Sequence, residues 1–329
     1  MPRSYYITKS GKLRRKDNTL YLENKDLKKS FPINDIESLY IFGEIGINTK
    51  LINYLSKYKI PLHFFNYYGF YTGSFYPREY LNSGMLLVKQ VENFSDMEKR
   101  MVIVKEIIDA AVYNILKNLQ HYKNQGKNVE QFMNMIATEK DKIKSCKNPG
   151  ELMGIEGNAR KLYYQSFEAF LRKGFEFEKR TRRPPENMLN CLISFGNSLL
   201  YTACLTEIYN SQLNPTISFL HEPFERRFSL ALDLAEIFKP VIVDKVIFNL
   251  VNNQIIKEKH FDRKLNYCYL NDEGRKVFLK EFDERLRTTI QHKTLKRKVS
   301  YKHLIRLDCY KLVKHLIGDK ELKAFRIWW

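Results

Sequence analysis

Met101-Val102-Ile103-Val104-Lys105-Glu106-Ile107-Ile108-Asp109-Ala110-Ala111-Val112-Tyr113-Asn114-Ile115-Leu116-Lys117-Asn118-Leu119 carries an apolar side chain every three or four positions, at Met101, Val104, Ile108, Ala111, Ile115 and Leu119. That is the period of a helix with one buried face. The stretch predicts a long amphipathic helix ending near Gly126. Working outward, the same period resumes downstream at roughly 129–145, 148–172, 186–210, 228–238, 241–253, 272–290 and 300–316. Upstream of Gly84 it gives way to short β-branched and aromatic runs, Tyr5-Tyr6-Ile7-Thr8, Thr19-Leu20-Tyr21-Leu22, Ser30-Phe31-Pro32-Ile33, Ile36 to Phe42, Ile60 to Phe65 and Phe70 to Tyr76. Gly11, Asp17-Asn18 and Asn34-Asp35 punctuate them as turns, and one short helix is expected from Asn48 to Tyr58. The fold class expected is α+β. A strand-built, sandwich-like domain over residues 1–77 leads through a linker at 78–84 to a larger all-α domain over 85–329.

Within the helical part, Leu230-Ala231-Leu232-Asp233-Leu234-Ala235-Glu236-Ile237-Phe238-Lys239-Pro240 places two acids three residues apart. Both leave the same side of one helix, at the edge of the stripe made by Leu230, Leu234 and Ile237. Pro240 is expected to stop that helix. His221 lies just upstream in Phe219-Leu220-His221-Glu222-Pro223. Further upstream, Asn148 and Pro149 have the character of N-cap and first helical residue. Leu152, Glu156, Ala159 and Tyr163 then share one face, which points Glu156 toward the core. A buried carboxylate needs a partner. Gly154 and Gly157 flank it, each costing about 1 kcal/mol against Ala in a helix, which makes sense if something approaches the backbone there.

Each of these residues also has a structural explanation. His221 beside a proline can be a plain structural histidine, Asp233 can be a surface acid or help start its helix, Glu156 can be neutralised by Arg160 at i+4, and Glu236 can pair with Arg226 or Arg227. As donors, two hard carboxylates and one imidazole suit Mg²⁺ or Mn²⁺ better than zinc or an iron–sulfur cluster. The five cysteines are scattered, with no CxxC pair, as in reduced cytoplasmic proteins.

The chain of 329 residues has a net charge of +19, which calls for an anionic partner, with nucleic acid or an anionic surface leading. Arg180, Arg182 and Arg183, and Arg226 and Arg227 beside the acids, are the candidate DNA contacts. A second basic group runs from Lys293 to Lys314 and can equally be a solvated face. No apolar run follows Met1-Pro2-Arg3, so no signal peptide is expected. The most apolar stretch, Met188 to Tyr209, is interrupted by Asn190, Ser194, Asn197, Ser198 and Glu207, as a buried helix is and a membrane span is not. Aromatics crowd the strand domain at Tyr5, Tyr6, Tyr21, Tyr40, Phe42, Phe64, Tyr67 and Tyr68. A domain of about 75 residues buries little area by itself, so leftover apolar surface is expected to pair two copies as a homodimer.

Four blocks carry a family likeness: Gly154-Ile155-Glu156-Gly157-Asn158-Ala159-Arg160, Asn190 to Tyr201, Leu220-His221-Glu222-Pro223 and Leu232 to Pro240. In order and spacing they resemble the CRISPR-associated Cas-one family of metal-dependent DNA endonucleases and integrases, over nearly the whole chain. The resemblance implies Glu156, His221 and Glu236 as metal ligands, with Asp233 as a further catalytic acid beside them. It implies a β domain that pairs two protomers and a dimer of the small Cas-two partner bridging two such dimers. The reaction implied is attack of a spacer DNA 3′-hydroxyl on a repeat phosphodiester, or hydrolysis when water attacks. Two other functions compete with this one. A catalytically silent basic DNA-binding scaffold explains the charge but gives Glu156 no purpose. A phosphohydrolase of small substrates explains the ligands but not the charge.

Overall fold

The computed structural model describes residues 2–77, 81, 83–182, 184–223, 228–264 and 267–328. The chain divides into two units, residues 1–80 and 81–329, and the order is strands first and helices after, as the hydrophobic period indicates.

In the first unit the strands are β1 (Arg3–Ile7), β2 (Gly11–Lys16), β3 (Thr19–Glu23), β4 (Lys28–Pro32), β5 (Ile36–Ile41), β6 (Ile45–Gly46), β7 (Leu62–Phe65) and β8 (Tyr71–Phe75). One sheet has the order β1-β5-β7-β8, the first three strands parallel and β8 antiparallel to β7. The other has the order β4-β3-β2-β6, a meander closed by a short parallel pair. Helix α1 (Thr49–Lys57) starts at Asn48, whose side chain accepts the Leu51 N–H at 2.9 Å. Period-two alternation turns Leu13, Leu20, Leu22 and Phe31 of one sheet and Ile7, Leu39, Ile41 and Leu62 of the other into a single core with Leu51 and Leu55 of α1. That shared core makes the unit sandwich-like. The aromatic surplus is mostly absorbed. Tyr40 and Phe42 are buried, Tyr5, Tyr6, Tyr21 and Phe64 are half-buried, and only Tyr67 and Tyr68 of the eight are exposed.

The second unit holds α2 (Gly84–Ser95), α3 (Met97–Asn124), α4 (Glu130–Lys142), α5 (Pro149–Gln165), α6 (Met188–Tyr209), α7 (Ser229–Phe238) and α8 (Asp244–Asn252). The hairpin β9 (Phe261–Lys264) and β10 (Tyr267–Leu270) follows, then α9 (Asp272–Arg287), the hairpin β11 (Thr289–Gln291) and β12 (Lys298–Ser300), and α10 (Tyr301–Leu316). The 28-residue α3 is the predicted long helix, begun at Asp96, whose carboxylate accepts the N–H groups of Glu98 and Lys99. The unit is therefore not purely helical: two hairpins of three- or four-residue strands lie in it, too short to show a period. Helix α6 is long and apolar enough to cross a membrane by composition, yet 78% of its apolar window is buried inside the protein. It is the core helix.

Pro240 does not end the helical run. It converts it, through a π-helical turn at Lys239–Val243, from α7 into α8. Side chains from elsewhere hydrogen-bond carbonyls along this irregular stretch. Asn114 donates to Ile237 O at 3.1 Å, Asn118 donates to Pro240 O at 2.8 Å, and Arg285 donates twice to Val241 O. A break that would cost about 3 kcal/mol in an isolated helix becomes a fixed bend just beyond Glu236.

Candidate metal and DNA site

The acids of α7 have separate tasks because they face different neighbours. Asp233 is fully buried and is the organiser of the preceding loop. Its Oδ2 accepts the N–H groups of Phe219 at 2.7 Å and Leu220 at 3.0 Å, and its Oδ1 accepts the N–H of His221 at 3.1 Å. The same Oδ1 lies 2.8 Å from His221 Nδ1. A carboxylate accepting at Nδ1 puts the ring proton there and leaves Nε2 as the free lone pair. Burial alone would lower the imidazole pKa; the hydrogen bond and charge of Asp233, with Glu236 behind, raise it instead. From the other side Arg100, itself buried, donates to Phe219 O at 2.6 Å and to Glu222 at 2.7 Å, pinning the loop to α3.

Glu236 faces α5. Arg160 donates from Nε to Glu156 Oε1 at 3.0 Å and from Nη2 to Glu236 Oε2 at 2.9 Å, and Lys239 donates to the other oxygen of Glu236. One guanidinium thus joins a carboxylate of α5 to a carboxylate of α7, 80 residues later in sequence (236 − 156 = 80). Burial pushes Glu236 up, but Lys239 and Arg160 overcome it and hold the carboxyl down to about 2. Glu156 is raised, by burial and by the charge of Glu236 within hydrogen-bond reach. It does not sit in the core as its spacing predicts. Its side chain is 22% exposed, at the rim, while Arg160 takes the buried position behind it at 9%. Deeper still, Asp244 is buried with neither carboxylate oxygen hydrogen-bonded, and burial pushes it up to about 7 against the pull of Arg160 and Lys239.

The structure therefore brings Glu156, His221, Asp233 and Glu236 into one neighbourhood. It adds three residues that sequence spacing had not put in the site, Lys239, Asp244 and Arg100. Only the i+3 step from Glu236 to Lys239 was visible in the sequence. The i+4 spacing accounts for the bond of Arg160 to Glu156, and its reach to Glu236 is what the fold supplies.

The basic loop resolves differently. Arg180 turns inward, donating to Asn190 Oδ1 at 3.0 Å and Ser194 Oγ at 3.0 Å on α6, so those donors are spent on the protein. Arg182 is exposed, and Arg183, Arg226 and Arg227 lie outside the described residues. Gly154 and Gly157 are exposed, and among the described residues a Cβ at either would meet no atom within 4 Å beyond its own helix turn. None of the described atoms demands glycine there. Gly154→Ala is thus expected to stabilise the free protein by about 0.5–1 kcal/mol, read by thermal unfolding; a lower melting temperature would show that the chain itself closes on that position.

A divalent cation was expected here, and the donor types fit one: two carboxylates with opposed tendencies to ionise, and an imidazole whose Nε2 is left free by a carboxylate on Nδ1. Among the described residues, however, no three His, Cys, Asp or Glu side chains are spaced to hold a metal ion; Arg160 and Lys239 hold the carboxylates instead.

With that geometry in place, the chain can be compared with known proteins. Residues 5–284 match the family model described as CRISPR associated protein Cas1. A relative named CRISPR-associated protein Cas1 1, from Methanobrevibacter ruminantium, is 54% identical over 99% of this chain and 99% of its own length. Another, CRISPR-associated endonuclease Cas1 3 from Thermodesulfovibrio yellowstonii, is 49% identical over 99% of this chain and 100% of its own length. The solved structure of a CAS1 protein from Thermotoga maritima superposes with a TM-score of 0.89 at 44% identity, covering 98% of this chain and 100% of that one. A casposase bound to integration product shares the fold at a TM-score of 0.83 and 22% identity, over 98% of this chain and 92% of that one. With residues 5–284 matching the family model and relatives of about 50% identity spanning the whole chain, this chain belongs to the CRISPR associated protein Cas1 family.

Proposed function

We propose that this protein is a metal-dependent DNA endonuclease and integrase of CRISPR adaptation, joining spacer DNA 3′-ends to the repeat. Supporting the reading are the endonuclease names of full-length relatives near 50% identity and, in the structure, the Arg160-bridged pair of Glu156 and Glu236 beside His221. Glu156, His221 and Glu236 would hold Mg²⁺ or Mn²⁺, which when bound supplies Lewis-acid stabilisation of charge on the phosphoryl oxygens. The protein's own part is positional. Asp233 fixes the His221 tautomer and ring direction, Arg160 keeps two repelling carboxylates adjacent, and Lys239 adds positive charge where a phosphodiester arrives. In the joining step a DNA 3′-hydroxyl oxygen bonds to the repeat phosphorus while the bond to the leaving 3′-oxygen breaks. The nucleophile's proton is lost to solvent and the leaving oxygen is reprotonated. Water as nucleophile gives cleavage. Branched DNA incubated with Mn²⁺ should be cut or joined, and EDTA should stop it; a protein that binds the DNA and never changes it is the silent scaffold.

The partners proposed are double-stranded and branched DNA, a second copy through the β domain, and a Cas-two dimer bridging two such pairs. Support for self-pairing in the first unit rests on the exposed Tyr67 and Tyr68. Light scattering at micromolar concentration is expected to give a dimer, weakened by Tyr67→Ser/Tyr68→Ser. A monomeric wild type removes the claim.

A further inference from the structure

The β11–β12 hairpin belongs to none of the machinery above, and its chemistry is unusual. From residue 285 through 307 the chain has eight Lys and Arg and no Asp or Glu. The hairpin concentrates half of these at its tip. Thr289↔Ser300, Ile290↔Val299 and Gln291↔Lys298 pair antiparallel, with Val299 buried as the anchor. Alternation puts Lys298 on the opposite, solvent side. Beyond the ladder, Lys293, Lys296 and Arg297 are exposed, and among the described residues no carboxylate pairs with any of these four cations.

The tip is ordered. His292 N–H donates to Arg297 O at 2.9 Å, Lys296 N–H donates to His292 O at 3.1 Å, and His292 Nδ1 accepts the N–H groups of Thr294 and Leu295. The His292 ring packs edge-on to Trp328 at 5.6 Å, and Lys293 Nζ lies 5.8 Å from the centre of the Trp328 ring. The hairpin is therefore a stiff two-stranded ribbon seated on the C-terminal segment. One residue in it is strained: Lys296 has φ +52°, a conformation that costs most side chains about 1 kcal/mol or more and suits Gly or Asn. A lysine kept at a glycine position, among like charges that repel one another, is unfavourable for folding. An anion bound across the tip would offset both costs.

We infer that the β11–β12 hairpin is a phosphate-gripping ribbon for double-stranded DNA, with Lys293, Lys296, Arg297 and Lys298 as its contacts. A two-stranded ribbon has the width of the B-DNA major groove, and the four cations can each neutralise a backbone phosphate. The inference rests on the DNA reading above and assigns a contact surface separate from the candidate metal site.

The test uses the full-length protein, a labelled duplex and anisotropy across a salt series of about 50–200 mM. Lys296→Gly removes one charge and relieves the strained φ. It should leave the melting temperature unchanged or higher, while lowering the slope of log affinity against log salt by about 0.9. Neutralising all four to Gln should lower it by about 3–4 and weaken binding at least tenfold. A photo-crosslinking residue at Leu295 should label the duplex, and this reading survives even if the quadruple variant folds poorly. Wild-type slopes in well-folded variants, with no crosslink, overturn the inference while leaving the DNA reading intact. Loss on an A-form RNA duplex but not on DNA overturns it in favour of RNA. A wild-type protein that binds no duplex at all sinks both.

Discussion

Glu236→Gln should abolish DNA cleavage, by roughly 10²–10³-fold or more, in a protein that still unfolds cooperatively. The substitution keeps the size and one acceptor oxygen of the side chain, so Arg160 can still donate to it. What it removes is the charge that Arg160 and Lys239 hold ionised, with the carboxyl kept down to about 2. His221→Ala should be equally inactive, because it removes the imidazole and leaves Asp233 its three backbone N–H partners. Asp233→Ala is different in kind. It strips those three buried N–H groups of their acceptor, at about 1–3 kcal/mol for each one left unsatisfied, so activity and the loop should be lost together. Gel assays on branched DNA with Mn²⁺, run beside urea unfolding, separate the two outcomes. Cleavage at the wild-type rate by well-folded Glu236→Gln would reject the site.

Arg160→Ala should be strongly destabilising, by about 3–5 kcal/mol, since removing one partner of a buried ion pair strands the other charge. Here it strands two, and Asp244 loses the positive charge that acts on it most strongly. The pH dependence has a definite sign. Glu156 is already raised above its usual 4.5 by burial and by Glu236, and losing Arg160 raises it further. An acid with a raised folded-state pKa is disfavoured as its ionised form. Its penalty is absent below about 4.5 and grows as pH rises through the folded value. Arg160→Ala should therefore lose more stability at pH 8 than at pH 5, whereas Arg160→Lys should recover part of it by keeping one charge. An equal loss at both pH values would mean that packing, not charge, is what Arg160 provides.

The long helix α3 was legible because its apolar repeat persists from Met101 to Leu119, about five turns, and local periodicity survives any arrangement of neighbours. The strand runs of the first unit were legible as short β-branched and aromatic stretches between turn residues. So was the N-cap Asn148, whose side chain accepts the Glu151 N–H at 3.0 Å, since capping is settled within four residues. The residue types of the candidate site, Glu156, His221, Asp233 and Glu236, also stood out in sequence, through spacing and family resemblance.

Tertiary structure alone decided who partners whom. Pro240 marks a break locally, but whether the chain leaves the helix depends on acceptors being satisfied from α3 and α9, where Asn114, Asn118 and Arg285 supply the donors. Glu156 fits a core position by period, yet Arg160 claims that position because it alone reaches both carboxylates from there. Arg180 stands out in sequence as one cation of a basic loop, and only the fold shows it donating to Asn190 and Ser194 of α6. By sequence the cations at 293–298 could equally be DNA contacts or a solvated face, and a hairpin too short to show a period is what gathers them. Periodicity records which side of an element is buried; it carries no information about the distant charge or carbonyl that element will meet, because those contacts form only when residues far apart in sequence are folded together.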